Sequence, residues 1–183
     1  RDYKVTGVQT CALPIFSHIR YTAAFFPEYA VLRQYEGELL FDIMKLSYED
    51  MAYWFYLIEL TEKLFPPGLK DDGVYDTLLE VGKAGRTRNG IAVAFIASVQ
   101  MLALAGFDAA APEAVEQYHL TEDTGNLLAA FRDYHWKGPF KGTIGKRNFL
   151  EAATYLDRFL QDVCDIRMNT KGIFTRALGL EKA

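Results

Sequence analysis

The segment from His135 to Phe149 combines cations with aromatic side chains, a combination that can bind an anionic partner. Its sequence, HWKGPFKGTIGKRNF, contains no acidic residue, and its candidate binding residues are Lys137, Lys141, Lys146, Arg147 and Trp136. Cations that alternate with aromatics can neutralise phosphates and stack bases, or hold an acidic peptide that ends in an aromatic residue. An ordinary loop, with its aromatics in the core and its lysines solvated, has the same composition. Both interpretations stay open at this point.

Two other patterns contain basic residues or glycines that could bind phosphate. Arg86 and Arg88, in a connector before the third predicted helix, form a second and weaker basic candidate. The Gly-Lys pair at Lys146 superficially matches a phosphate-binding loop, which needs an earlier glycine and a Ser or Thr after the lysine. Those two positions hold Phe140 and Arg147. The sequence therefore does not predict a nucleotide site.

Residues that could support catalysis or metal binding are few and dispersed. His18, His119 and His135 lie on three separate segments, whereas a metal site needs several converging donors. Cys164 lies in a helical apolar pattern, where a lone cysteine is usually a small core residue. No Gly-x-Ser-x-Gly motif occurs in the chain. We therefore predict no enzyme activity, no catalytic residue, no metal site and no cofactor.

Composition restricts the class of protein further. The chain has 183 residues, 50% of them hydrophobic, with 20 basic and 24 acidic residues and a net charge of −4. Half of the residues can contribute to a core, and the frequent charges exclude a membrane-spanning segment. The net negative charge argues against a generally basic nucleic-acid coat but allows a local basic surface. We expect a soluble, cytosolic globular protein.

Residues 1–16, RDYKVTGVQTCALPIF, differ in character from the rest of the chain. The stretch from Val5 to Ile15 resembles the translation of a widely used sequencing-library adapter, and a natural N-terminal strand is the alternative. A signal peptide is not predicted, because no apolar run follows the charged start. We expect residues 1–16 to be an adapter-derived artefact and consider the fold from residue 17.

Two segments with a β-strand period come next. HIRYTAAFF and AVLRQYEGELLF alternate apolar and polar residues around a short turn that contains Pro27, which predicts a β-hairpin. On this pattern Val31, Arg33 and Tyr35 share one face of the second strand. A lone hairpin is marginal in water, so we expect it to have belonged to a larger sheet.

From Ser47 the apolar period becomes that of a helix. Ser47 with Asp50 is a helix-start signal, and Gly106 is expected to end the third helix in a left-handed conformation with Phe107 folded back. Residues 108–119 read as a connection, Asn148 with Glu151 as a further helix start, and the last short helix contains Ile173, Phe174 and Leu178. The sequence thus predicts a mostly α protein, a bundle of five to six helices preceded by a β-hairpin.

This layout resembles the RecO family of bacterial recombination mediators. The hairpin through FDIM is similar to the last strands of that family's N-terminal OB-fold. The stretches that resemble its helices are LSYEDMAYWFYLIELTEKLFPPGLKDDGVYDTLL, IAVAFIASVQMLALAGFDAAAPE, LTEDTGNLLAAF and FLEAATYLDRFLQDVCDIRMNTKGIFTRAL. The resemblance implies an OB-fold remnant at residues 17–44 and a RecO-like helical domain at residues 45–183.

The implied activity is binding rather than catalysis. RecO-like proteins of the bacterial cytoplasm bind single- and double-stranded DNA, partner RecR and engage the acidic tail of single-stranded-DNA-binding protein. They thereby promote annealing and RecA loading in DNA repair and recombination. The resemblance implies neither a membrane partner nor a small-molecule substrate.

The chain departs from the family pattern at one site, and a second candidate function stays open. Many family members carry a four-cysteine zinc module near what is Asp108 to His119 here, but this span contains no cysteine. The second candidate function is a helical ligand-binding or protein-interaction domain of a regulator, which would enclose a sizeable apolar pocket.

Overall fold

A computed structural model describes residues 17–40, 42, 45–66, 71–85, 89–138, 140 and 144–170. Within these residues two strands precede six helices, with the bounds β1 Ser17–Phe25, β2 Ala30–Leu39, α1 Tyr48–Leu64, α2 Asp72–Ala84, α3 Gly90–Leu104, α4 Pro112–Gln117, α5 Glu122–Arg132 and α6 Lys146–Asp162. The predicted fold class, mostly helical with a hairpin before the helices, is confirmed. The residues form two compact units, one up to Leu46 and one from Ser47.

The hairpin forms the first unit's two-stranded antiparallel sheet. Its turn is closed by the N–H of Phe26, which donates to the carbonyl of Tyr29 at 2.9 Å. A β-bulge interrupts the register, because Thr22 pairs with Gln34 whereas Ala23 pairs with Leu32. The predicted face of the second strand is therefore wrong. The extra residue, Arg33, moves Leu32 rather than Val31 onto the side of Tyr35.

Polar side chains begin three of the helices. The hydroxyl of Ser47 accepts the N–H of Asp50 at 3.1 Å, as the start signal predicted. The carboxylate of Asp71 accepts the N–H of Val74 at 3.0 Å, and the side-chain oxygen of Asn89 accepts that of Ile91 at 3.0 Å. Each cap satisfies a backbone N–H that has no partner within its own helix.

The helical unit is organised around α3. This helix contacts α1, α2 and α5, and α6 packs against α5. It carries no charged residue and is buried over most of its length. Its end follows the prediction, since Gly106 has φ +88° and the N–H of Phe107 donates to the carbonyl of Leu102 at 2.8 Å.

One short helix and one helix start differ from the sequence prediction. Residues 112–117 are the short helix α4 rather than a connection, because Pro112 occupies the first turn, where its missing N–H costs nothing. Helix α6 begins at Lys146 with Gly145 as its N-cap, not at Asn148.

The last predicted helix, after Thr170, lies outside the described residues. None of the described helices combines the length and apolarity needed to cross a lipid bilayer.

A carboxylate of α1 attaches the segment that follows α6. Glu59, only 9% exposed, accepts the N–H of Asn169 at 2.7 Å and both the N–H and the hydroxyl of Thr170 at 2.8 and 2.7 Å. Lys63 lies 3.0 Å from the same carboxylate. Burial by itself would raise the pKa of Glu59, but these donors outweigh it and lower the pKa to about 2.

We predict that Glu59→Gln lowers the free energy of unfolding by about 1–3 kcal/mol at neutral pH, because the charge-assisted hydrogen bonds are removed. The folded pKa lies below the ordinary value of 4.5, so this stability is fully present above pH 4.5 and is lost as the pH falls toward 2. Urea unfolding between pH 7 and pH 2.5 measures it, and the difference between the two proteins should shrink as the pH falls. The matched control is Glu62→Gln, an exposed position on the same helix, which should change stability by less than about 0.5 kcal/mol. Equal losses in the two variants would contradict the role given to Glu59.

Candidate nucleic-acid interface

The first candidate surface is one side of the hairpin, which we term the aromatic face. The register pairs Tyr21 with Tyr35 and Ala23 with Leu32, and directly paired residues of an antiparallel sheet project from the same side. The face comprises Ser17, Ile19, Tyr21, Ala23, Phe25, Ala30, Leu32, Tyr35, Gly37 and Leu39. It contains no charged residue, so its chemistry is that of an apolar and aromatic contact surface.

The large side chains of the aromatic face are accessible. Tyr21 is 58% exposed, Tyr35 is 53% exposed and Phe25 is 71% exposed. In the adjoining turn, the rings of Phe26 and Tyr29 stack with their centroids 4.7 Å apart. Exposed rings on a sheet are the platforms on which unpaired bases stack. The geometry therefore permits base stacking on the hairpin.

Cations of the hairpin lie off the aromatic face. Arg20 pairs in register with Glu36 on the opposite, polar face, and Arg33 is the extra residue of the bulge. Both arginines are exposed. A cation at the margin of a stacking platform can contact a nucleic-acid backbone, whereas a cross-strand acid reduces the net charge available to it. Of the two, Arg33 is thus the better placed cation.

The second candidate surface is the basic segment, defined as residues 135–149, in the helical unit. Two of its aromatic side chains pack against rings of the core. Phe140 packs against Phe131 with ring centroids 5.3 Å apart, and Phe149 packs against Phe95 at 4.8 Å. Both rings are partly buried by these contacts, which leaves less of their surface accessible to bases. For these two residues the structure agrees with the ordinary-loop interpretation.

Trp136 is half-buried and held by Gln100 of α3. Its indole N–H donates to the Gln100 side-chain oxygen at 2.8 Å. The Gln100 side-chain nitrogen donates in turn to the carbonyls of Phe131 at 3.2 Å and Tyr134 at 2.7 Å. These carbonyls lie at or just beyond the last turn of α5, where helical partners are missing. One amide therefore caps α5 and fixes the start of the basic segment.

The structure describes three of the predicted cations. Lys137, Lys146 and Arg147 are all exposed. Lys146 and Arg147 occupy the first turn of α6, where the helix dipole adds to their positive potential. This end of α6 therefore attracts anions. The other predicted cations, Lys141, Arg86 and Arg88, lie outside the described residues.

A cleft of about 760 Å³ lies beside Trp136. Side chains from α2, the end of α3 and the start of the basic segment line it, among them Leu79, Leu104, Trp136 and Lys137. Arg132 also reaches the cleft, but it donates to Asp133 at 2.8 Å and to Asp108 at 2.9 Å. These carboxylates raise the pKa of Arg132 above its ordinary value. Lys137 is consequently the better available cation for a ligand of this cleft.

Glu151 of α6 is committed to structure. It accepts the backbone N–H of Thr121 at 3.3 Å and the hydroxyl of the same residue at 2.5 Å, and it also accepts the hydroxyl of Thr124. These donors, with a smaller effect of Arg147, lower the pKa of Glu151. Thr121 is the N-cap of α5, so the carboxylate sits at the positive end of that helix dipole.

The one cysteine among the described residues is not activated as a nucleophile. Cys164 is half-buried, and burial raises the pKa of its thiol to about 11, which keeps it protonated at neutral pH. No three His, Cys, Asp or Glu side chains of the described part of the chain are grouped as a metal site requires.

Comparison of the chain with protein families, curated proteins and solved structures gives no match in any of the three.

Sequence reasoning missed the two features that give these surfaces their geometry. The aromatic face depends on the bulge at Arg33, for which the sequence carries no turn or glycine signal. The role of Gln100 depends on a contact over 31 residues or more. The one available signal was an uncharged polar residue in an otherwise apolar helix, because such a residue needs a hydrogen-bond partner when buried.

We predict that Gln100→Leu lowers the free energy of unfolding by about 1–3 kcal/mol, because carbonyls at the end of α5 and the Trp136 indole lose their partner. Urea unfolding measures the loss, and solvent exchange of the Trp136 indole proton should accelerate. The matched control is Ser98→Ala in the same helix, whose hydroxyl bonds only to its own helix at Ala94. Unchanged indole exchange in the Leu variant would show that Gln100 does not hold Trp136.

Proposed function

We propose that the chain is a RecO-like DNA-binding protein that acts in bacterial DNA repair and recombination by binding rather than by catalysis. Two things support this proposal: the resemblance of the sequence, and the order of a hairpin followed by a helical bundle. In this proposal the hairpin belongs to the base-binding sheet of an OB-fold, and the protein works in the bacterial cytoplasm.

The observation that carries the proposal is the exposed aromatic face. Stacking of a base on an aromatic side chain contributes about 1–3 kcal/mol and tolerates any base sequence. Tyr21 and Tyr35 are adjacent across the two strands and both more than half exposed, so they offer neighbouring positions for successive bases. Single-stranded DNA is the partner that this surface fits, because its bases are unpaired.

The basic segment has a different part in the proposal. Its exposed cations, Lys137, Lys146 and Arg147, would neutralise backbone phosphates without reading sequence, and such contacts weaken as salt rises. The acidic tail of single-stranded-DNA-binding protein and a partner protein of the RecR type complete the proposed set of partners on the strength of the resemblance. Neither requires a metal or a cofactor.

We expect the change of both Tyr21 and Tyr35 to Ala to weaken binding of a fluorescein-labelled oligothymidylate by about ten-fold or more, because two stacking positions are removed. The matched control changes Thr22 and Gln34 to Ala, a cross-strand pair next in register on the polar face, and should leave affinity within about two-fold. Fluorescence anisotropy at several salt concentrations makes the measurement. Alanines at Lys137, Lys141, Lys146 and Arg147 should flatten its salt dependence, by about 0.7 in slope for each phosphate that is no longer neutralised.

Three results would count against the DNA-binding proposal. Wild-type protein with no measurable affinity at low salt would remove it outright. Equal losses in the tyrosine variant and the polar-face control would mean that the hairpin has merely been destabilised. An unchanged salt slope in the alanine variant would remove the basic segment from the interface and return it to the role of an ordinary loop.

The cleft beside Trp136 favours a second candidate function, a helical protein-interaction domain. Its volume of about 760 Å³ lies within the range of ligand sites, about 300–1,000 Å³. Apolar residues and an aromatic ring line it together with the exposed Lys137 and with Asp76 and Glu80. The carboxylate of Glu80 is paired with Lys83 at 2.8 Å. A short acidic peptide with an aromatic residue at its carboxyl end has the complementary chemistry, since the ring can enter the apolar part and the acid can meet the lysine.

We expect Lys137→Glu to weaken binding of such a peptide by about ten-fold, which corresponds to about 1.4 kcal/mol. The quenching of Trp136 fluorescence during titration measures the affinity. Lys146→Glu is the matched control, because it makes the same change of charge at a residue that does not line the cleft. Equal weakening in both variants would indicate a general electrostatic effect and contradict binding in the cleft.

A further inference from the structure

The outer side of β1 has no strand beside it among the described residues, where the sheet has two strands and β1 pairs only with β2. The N–H of Phe26 donates across the turn, and backbone groups that point toward the partner strand alternate with groups that point away. The backbone groups that point away from β2 therefore belong to Ile19, Tyr21, Ala23 and Phe25. We term residues 19–25 the β1 edge. Such an edge can pair with a further strand.

The two edges of this sheet differ in the features that discourage pairing. Strand β2 contains the bulge at Arg33 and two carboxylates, Glu36 and Glu38. Charged side chains and bulges are the usual means by which an exposed edge avoids another strand. The β1 edge contains one charged residue, Arg20, and the extra residue of the bulge is not on it. These features favour β1 as the strand that a partner would join.

The β1 edge is complementary to a second copy of itself. When two copies run antiparallel with Thr22 opposite Thr22, Ile19 lies opposite Phe25 and Tyr21 lies opposite Ala23. A β-branched residue opposite an aromatic one, and Thr opposite Thr, are favourable cross-strand pairs. The outward-pointing backbone groups then meet as hydrogen-bonded pairs, and the two threonines form a pair of the closer, non-hydrogen-bonded kind.

The charge of Arg20 distinguishes this register from its alternatives. In the register centred on Thr22, Arg20 lies opposite Ala24 of the second copy, and the two arginines are offset by about 13 Å along the strands. Centring the pairing on Tyr21 would halve this offset. A parallel pairing in register would place the two arginines side by side, where like charges are destabilising.

We propose that two copies of the chain pair through the β1 edge, antiparallel and centred on Thr22, and so form a four-stranded sheet. The same segment of each copy supplies both halves of the contact, so the assembly closes at a dimer. The two copies of Tyr21 become diagonal neighbours on one side of this sheet, which joins the two aromatic faces. A lone hairpin is marginal in water, and two further strands stabilise it. The contact is independent of the DNA-binding proposal, because it needs no nucleic acid.

Cysteine cross-linking tests the register. With Cys11 and Cys164 changed to Ser, Thr22→Cys places two thiols opposite each other at the centre of the pairing, at a separation that a disulfide spans. We expect a dimer on a non-reducing gel after oxidation, and its loss after reduction. The matched control is Gln34→Cys, which changes the residue that pairs with Thr22 within the hairpin. This control should stay largely monomeric.

Sedimentation velocity without cross-linking measures the affinity of the dimer from micromolar to millimolar protein. Thr22→Lys puts like charges at the centre of the contact and should weaken the dimer by about ten-fold or more. Gln34→Lys adds the same charge on β2 and should change affinity by less than about two-fold. Ala24→Glu puts a carboxylate opposite Arg20 of the second copy and should tighten the dimer by about three-fold. A variant that merely fails to fold would not bind more tightly.

Each remaining outcome would overturn the proposal. Wild-type protein that stays monomeric at every concentration would show that the β1 edge does not bind a second copy. Equal effects of the two lysine variants would indicate a general effect of charge, and equal cross-linking of the two cysteine variants would place the contact elsewhere. Affinity that Ala24→Glu leaves unchanged would reject the register centred on Thr22. Species larger than a dimer would indicate unspecific association of strand edges.

Discussion

The burial of α3 on all sides is the constraint on which the arrangement of the other helices depends. Ten of its fifteen residues are buried, and a helix without a polar face is stable in water only where other elements surround it. Helices α1, α2 and α5 supply this cover. Ala94 and Ala97 are among the buried positions, and their small side chains let the neighbouring backbones approach. The apolar area so removed from water is the main favourable contribution to folding.

Apolar contact is non-directional, so polar contacts must determine how the surrounding helices are placed. Helix α5 illustrates this point because other helices cap both of its ends. Glu151 of α6 accepts the N–H of Thr121 at its start, and Gln100 of α3 donates to carbonyls at and beyond its last turn. An uncapped buried helix end would leave backbone groups unsatisfied. The two caps thus fix α5 along its axis, and with it the start of the basic segment.

Local patterns explain what the sequence predicts correctly and what it misses. The apolar period locates the major helices, and local chemistry locates the cap at Ser47 and the left-handed end at Gly106. The predicted helix start at Asn148 is wrong, because α6 begins at Lys146. The spacing from Asn148 to Glu151 matches a capping box, but the Glu151 carboxylate accepts from Thr121, the N-cap of α5. Bonds such as this one, and that of Glu59 with Thr170, join residues far apart in the chain. Spacing carries no information about such bonds, and neither it nor residue type signals the bulge in β2.

The distribution of aromatic residues bears most directly on function. A ring can stack on a ligand only through the surface that it leaves accessible, so exposed rings contribute more than partly buried ones. In the basic segment Phe140 and Phe149 contact core rings, whereas on the hairpin Tyr21 and Tyr35 are exposed. Alternation of cations and aromatics in the sequence therefore does not show which rings are accessible to a ligand. If the chain binds single-stranded DNA, stacking falls to the hairpin, and the basic segment contributes a salt-dependent attraction that is indifferent to base identity.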